Sequence, residues 1–406
     1  MSRTTGETGS ILVLPTTTSA QQGPVAGWVS TSGWAAAAAR VLGRSWVVTP
    51  GGVLDAAEVR RRASSVTAPA ETSVRWRRRI PTSAKTAVKD VRSAVRGRRL
   101  QAPVDGPWTS SGVEIELVWQ RHELFATAGL DLADALGVPS VLFVPATLVW
   151  QGEQWGVHRP WGAALERVGE SPAMRRATVV ACGTDVVAEQ AIRLGADPDH
   201  VLLTPTGVDL DAFADRSEAD AVRRSVAPDG GVVVGWVGSF RPYHRVADLI
   251  EAVASLDDVT LLLVGDGPER AAAERLAADR GVRAVFPGVV AHERLASHLA
   301  AMDVGVVLLP PGPTHYSPLK LAEYLAADLP VIAPDVQQIA ERVDDAAVAL
   351  YPPGDVVALR AAIAGLAADP VRREQMGAAA RRAAVGWSWD RQVERIRAAA
   401  AGARPS

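Results

Sequence analysis

The sequence predicts an α/β protein of two domains, each a parallel sheet flanked by helices. Three observations predict it. Short apolar runs alternate with helical patterns along almost the whole chain, which is how strands buried on both faces and joined by crossover helices read. At 406 residues the chain is long enough for two full cores. The texture also changes midway: nine of the twelve tryptophans precede residue 162, and the second half is rich in alanine, leucine and valine.

In the first half, strands are expected at 11–15, 45–49, 113–119, 139–145, 177–182 and 201–205. In the second half they are expected at 232–238, 259–265, 282–288, 304–310, 329–333 and 347–353. The turn-rich stretch TPTGVDLDAF (204–213) marks the boundary. An N-terminal domain over 1–205 and a C-terminal domain over 206–386 follow, with a last helical segment, 387–406, expected to pack back on the first domain. No repeat of 20–50 residues is present, so a solenoid is excluded.

A net charge of −2 supplies no global field for nucleic acid, which is not an expected partner. The single cysteine, Cys182, excludes an internal disulfide framework and fits a reducing compartment. It sits in a buried-type strand, where cysteine acts as a small hydrophobe. No apolar run reaches membrane-spanning length, and MSRTTGETGS lacks the regions of a secretory signal, so a cytoplasmic protein is expected. One segment breaks the balance. Residues 60–99 carry thirteen Lys or Arg against Glu71 and Asp90. Within it Ile80, Ala84, Ala87, Val88, Val91 and Val95 recur at helical spacing, and Lys85, Lys89, Arg92 and Arg96 form a stripe on another face. It reads either as a solvated helix and linker or as a helix drawn to an anionic membrane surface, peripheral at the inner face of the plasma membrane.

The most informative stretch runs from residue 304 to 333: a buried-type strand, a loop, a short helix and another strand. Ser317 stands where an N-cap belongs and Pro318 at the first helical position. Lys320 then falls in the first turn, where the helix dipole disfavours a cation unless an anion docks there. Glu323 lies one turn on, as an acceptor for sugar hydroxyls. Taken alone, Lys320 and Glu323 read equally as solvated surface residues. Two other turns follow strands. Gly265-Asp266-Gly267-Pro268 opens a helix where parallel sheets bind ligands, and reads either as a nucleotide-binding turn or as Gly and Pro that only shape the strand-to-helix turn. The turn from Gly238 and Ser239 to Arg245 holds Arg241, His244 and Arg245, each able to reach a diphosphate. Gly23 and Gly27 follow the first strand, where glycine either lets backbone approach a ligand closely or belongs to a mobile surface loop.

Read together, GWVGSFRPYHRVADLIEA (235–252), LLLVGDGPER (261–270), VFPGVV (285–290), SPLKLAEYLAADLPVIAP (317–334) and TPTGVDLDAF resemble the retaining GT-B glycosyltransferases of family 4. WQRHELFATAGLDLADALGVPSVLFVPA (119–146) is similar to the first-domain pattern of bacterial members that build cell-surface glycans. The resemblance implies two doubly wound Rossmann-like domains facing across a cleft. It implies transfer of a hexose from a nucleotide-diphosphate sugar to a glycan or lipid-linked acceptor, with retention of configuration. It places Glu323 on the ribose, Leu319 and Lys320 at the diphosphate, Gly265 to Pro268 beneath the base, and Gly23 and Gly27 beside the diphosphate and acceptor. The chain departs from the pattern at five positions. His315 stands for the first glutamate of the two-glutamate motif, and Ser239 and His244 stand for the usual Arg and Lys. Arg245 and Asp328 each replace a glycine. Arg241 or Arg245 is expected to supply the missing fixed charge.

His122, expected at a helix start, reads either as a cleft residue near the acceptor or as a buried histidine satisfied by backbone. Trp119, Trp150, Trp155 and Trp161 read as sugar-stacking or as packing residues. The acidic residues near these turns are not arranged as paired ligands, so neither metal nor cofactor is expected beyond the donor substrate. Two rivals remain open. An epimerase of the same architecture needs cleft carboxylates that are not evident. A non-catalytic partner subunit is motivated by His315, Ser239 and His244. A dinucleotide oxidoreductase is disfavoured, because no G-x-G-x-x-G follows the first strand.

Overall fold

The computed structural model describes residues 7–15, 26–59, 82–154, 156–157, 159–312, 319–340, 342–343 and 345–403. It falls into two compact units, one over residues 1–207 and 389–406 and the other over 208–388. The chain therefore enters the second unit once and returns, and the helix Trp389–Gly402 belongs to the first.

The first unit is built on a seven-stranded sheet. Its strands are β1 (Thr8–Val13), β2 (Arg44–Thr49), β3 (Gly52–Asp55), β4 (Glu114–Arg121), β5 (Ser140–Val144), β6 (Val179–Cys182) and β7 (Val201–Leu203). Their order is β3-β2-β1-β4-β5-β6-β7. All pairings are parallel except β2–β3, an antiparallel hairpin that was not expected from the sequence. Four half-exposed residues at a sheet edge carry too short an apolar run to announce a strand. Side chains alternate between faces. Ile11 and Val13 pack with Trp46, Val48 and Trp108 on one side. Leu12 and Leu14 pack with Trp34, Trp119 and Phe143 on the other. Helix Trp389–Gly402 closes this second side, with Trp389, Val393 and Ile396 buried.

The second unit holds β8 (Val232–Val237), β9 (Val259–Val264), β10 (Ala284–Gly288), β11 (Val304–Val306), β12 (Val331–Pro334) and β13 (Val348–Tyr351). Their order is β10-β9-β8-β11-β12-β13, and every pairing is parallel. Strand order reverses between β8 and β11, and between β1 and β4 in the first unit. Ligands of open parallel sheets bind outside the carboxyl ends of strands at such switch points. The expected run at 304–310 pairs only over 304–306.

Candidate functional site

The site in the second unit grows from the switch point between β8 and β11. Leu321, Tyr324 and Leu325 recur at helical spacing and are fully buried, which seats the helix Leu319–Ala326 on the sheet. Tyr324 does more than fill space. Its phenol oxygen accepts the N–H of Val237 at 3.0 Å, and its ring lies where a Cβ on Gly305 would come within 2.9 Å of it. A glycine in the middle of β11 thus lets the helix register against the end of β8.

One turn back, Lys320 is half-buried and reaches over the Gly238 turn. Its Nζ lies 5.3 Å from the Trp236 ring centroid, a cation–π contact. Gly238 makes room for it, since a Cβ there would stand 2.7 Å from Lys320 Cε. Lys320 Nζ is also 3.3 Å from His244 Nε2. The partners settle the imidazole tautomer. Nδ1 faces the Ser239 carbonyl, which only accepts, so Nδ1 carries the proton. Nε2 is then the acceptor, and the ammonium donates to it. Burial first, then the nearby Lys320, hold His244 down at about 4, so it is neutral at pH 7. His244 is therefore a neutral neighbour of Lys320 and not a second cation in the turn.

Burial also lowers Lys320 to about 8, with Glu323 opposing the shift. Glu323 is 7% exposed, and burial raises it to about 7 against the pull of Lys320. Among the described residues its carboxylate has no hydrogen-bond donor.

Arg245 is a further correction. Its Nε and Nη2 lie 2.5 and 3.0 Å from the Asp248 carboxylate, so its charge is already paired. Its φ of +48° explains why a glycine suits this position. Asp328, at φ +60°, likewise sits where glycine is favoured, and there Arg216 and Arg381 clamp its carboxylate. Arg241 is exposed and has no ion-pair partner among the described residues, which leaves it as the available guanidinium of the turn.

The Gly265 turn packs directly on the Gly238 turn. A Cβ on Gly265 would fall 1.9 Å from the Gly238 oxygen, while Phe240 N–H donates to Asp266 O and Glu269 N–H to Phe240 O. Gly267, at φ +156°, fits against the backbone of Phe240. These glycines are required by backbone packing. Pro268 follows them in the same turn. His315 and Ser317 lie outside the described residues, as do Gly23 and Trp155. Gly27 falls in the first turn of the helix Ala26–Leu42, not in a loop.

In the first unit His122 follows β4 directly and does not open a helix. It is 1% exposed, and its Nε2 donates to Glu170 Oε1 at 3.0 Å. Glu170 also accepts the N–H groups of Leu148 (2.6 Å) and Val149 (3.4 Å) at the start of the helix Leu148–Gln154. Of the two readings the buried one holds, with the Glu170 carboxylate as partner in place of backbone, and Nδ1 has no partner among the described residues. Trp119 is fully buried between Trp34 and Phe143, with ring centroids 4.8 and 5.1 Å away, and is core. Trp161 Nε1 donates to Asp90. Sequence reading missed Trp236, Tyr324 and Glu170. The first two carried a signal, as aromatics beside the glycine turn and one turn after Lys320. Glu170 carried none, because its partner is 48 residues away.

Among the described residues no group of three or more His, Cys, Asp or Glu is gathered as metal ligands, and no helix is long and apolar enough to cross a membrane.

Residues 231–369, which contain Gly238, His244, Gly265, Lys320 and Glu323, match the family described as "Glycosyl transferases group 1". A GDP-mannose-dependent alpha-mannosyltransferase of Mycolicibacterium smegmatis is 30% identical over 272 residues, 66% of this chain and 68% of that protein. A D-inositol 3-phosphate glycosyltransferase of Geodermatophilus obscurus is 32% identical over 253 residues, 57% of this chain and 54% of that protein. Anabaena Alr3699/HepE, solved in complex with UDP and glucose, shares the fold with a TM-score of 0.63 at 16% identity, over 96% of this chain and 99% of that one. The chain belongs to the group 1 glycosyl transferases, enzymes of GT-B architecture.

Proposed function

We propose that the chain transfers a hexose from a nucleotide-diphosphate sugar to a glycan or lipid-linked acceptor. The glycosyl bond to the diphosphate breaks, a bond to an acceptor hydroxyl forms, and the hydroxyl proton leaves with the diphosphate. The observation that carries this reading is the Lys320 ammonium, held between the Trp236 face and the neutral His244 imidazole at the β8/β11 switch point. An ammonium poised there, at the start of a helix with free N–H groups, suits the charge that develops on a departing diphosphate. Arg241 adds a second cation when the nucleotide is bound. Glu323 takes the ribose or sugar hydroxyls, which supply the hydrogen-bond donors it lacks. His122 is assigned no chemical step, since it is closed off by Glu170.

Retention of configuration, the family 4 assignment and a place in cell-surface polysaccharide or glycoconjugate synthesis rest on the resemblance of the sequence blocks. The same holds for a metal-independent reaction, which the absence of paired acidic ligands near the turns motivates. A cytoplasmic enzyme working at the inner face of the plasma membrane fits the basic helix Thr82–Arg99. The name of the mannosyltransferase relative makes GDP-mannose one donor to test first.

The test is calorimetric titration of GDP and UDP, without added metal, into the wild type and Lys320→Ala. One nucleotide is expected to bind, and the substitution to cost about 1.5–3 kcal/mol through loss of a charge-assisted phosphate contact. A folded protein that binds neither nucleotide overturns the donor site and favours a non-catalytic subunit.

A further inference from the structure

The helix Thr82–Arg99 turns Thr86 and Asp90 inward. Asp90 is 6% exposed, and its carboxylate takes Arg159 Nε at 3.0 Å and Trp161 Nε1 at 2.9 Å. Thr86 is buried, and a Cβ on Gly97 would stand 2.6 Å from the Leu124 oxygen. These contacts fix the rotation of the helix. Val88, Val91 and Val95 consequently face outward, 52%, 64% and 44% exposed. A helix that serves only the core shows the opposite arrangement. Beside the valines runs an exposed stripe of Lys89, Arg92, Arg96 and Arg99.

At the end of the helix both stripes enter a groove of about 590 Å³ against the β2–β3 hairpin. Val48, Val53, Val95 and Leu100 give it apolar walls, and Arg96 and Arg99 line the same space. Neither arginine has a carboxylate partner among the described residues. The helix dipole favours cations in a last turn, and Arg98, over the Phe125 ring at 5.3 Å, already meets that need. Two further unpaired guanidiniums beside apolar walls call for an anion with an apolar continuation. The groove reaches Pro15, just after β1, and Thr49, at the end of β2. That is the carboxyl edge of the sheet, where parallel sheets take ligands.

We propose that this groove seats the phosphate head of an amphiphilic acceptor, a phosphate or diphosphate ester of a long alkyl or polyprenyl chain. The guanidiniums grip the head bidentately, the apolar walls take the first methylenes, and the valine stripe rests on the lipid surface from which the acceptor comes. Valines are small, so this attachment is reversible and depends on the basic stripe meeting anionic lipid. The word acceptor rests on the glycosyl-transfer reading above; the groove and its ligand chemistry do not.

The test uses the whole chain. Dodecyl phosphate, inorganic phosphate and uncharged dodecyl maltoside are titrated calorimetrically into the wild type and an Arg96→Gln/Arg99→Gln variant. Both positions are exposed, so folding is expected to survive, and circular dichroism checks it. Dodecyl phosphate is expected to bind at least about tenfold more tightly than either control, and the variant to lose about tenfold or more of that affinity. Equal binding of dodecyl maltoside, equal binding of inorganic phosphate, or an unaffected variant each overturns the proposal. In flotation with phosphatidylglycerol–phosphatidylcholine vesicles, Val88→Ser/Val91→Ser is expected to lose recovery while still binding soluble dodecyl phosphate. Unchanged recovery overturns the lipid-surface part. GDP and UDP titrations on the same samples separate the two readings. Nucleotide binding without dodecyl phosphate binding sinks the groove alone, and the converse sinks the donor site alone.

Discussion

At the scale of single residues, the proposed donor site depends on one ammonium whose charge is conditional. Lys320 is lowered to about 8 by burial, below the ordinary lysine value. The sign follows directly. Below about pH 8 the side chain is charged and attracts a diphosphate; as pH rises through that value the free protein loses the cation. Nucleotide affinity is therefore expected to fall above pH 8, by up to about tenfold per pH unit. Lys320→Arg, whose guanidinium does not titrate in this range, should remove the dependence. Titrations between pH 7 and 9.5 check this, and a flat wild-type profile contradicts it. His244 does not take over the charge, because burial and Lys320 keep it neutral until about pH 4.

At the scale of elements, the turn Glu166–Glu170 is a π-helical turn that delivers Glu170 into the first unit. Its carboxylate collects His122 Nε2–H and two backbone N–H groups at the start of the helix Leu148–Gln154. Glu170→Ala leaves these buried donors without an acceptor and should cost about 3–5 kcal/mol of stability. Glu170→Gln keeps one carbonyl oxygen for them and should cost clearly less. Urea unfolding measures both, and a loss below about 1 kcal/mol for the alanine variant would show that water replaces the carboxylate. Elements differ in how plainly the sequence announces them. Most strands are legible because both faces of the parallel sheets are covered and their residues are continuously apolar. The hairpin strand β3 is not, since Gly52–Asp55 is half-exposed and short. The outward rotation of Thr82–Arg99 is not legible either. Periodicity finds the stripes, but only the contacts of Asp90 and Gly97 decide which one faces water.

At the scale of the whole molecule, the last helix stabilises the unit that the chain left some 180 residues earlier, with the second unit spanning Val208–Ser388. Trp389 is 3% exposed, and a Cβ on Gly33 or Gly207 would fall 2.4 or 2.5 Å from its indole. Its ring centroid lies 6.3 Å from that of Phe143. Trp389→Ala opens a cavity in this core and should cost about 3–5 kcal/mol. Amide hydrogen exchange locates the loss: faster exchange is expected in β1 and β5, with β8 and β12 unchanged. Loss spread equally over both sheets would show that the two units unfold as one.

The sequence by itself determined the order of the parallel strands, the glycine turns after β8 and β9, and the spacing that sets Glu323 one turn after Lys320. These follow from periodicity and backbone stereochemistry, which act over a few residues. Only the tertiary structure decided which charges are available. It pairs Arg245 with Asp248, makes His244 a neutral neighbour of Lys320 across 76 residues, and closes His122 with Glu170 across 48. Protonation and pairing depend on desolvation and on groups brought together by the fold, and such neighbours leave no trace in local spacing.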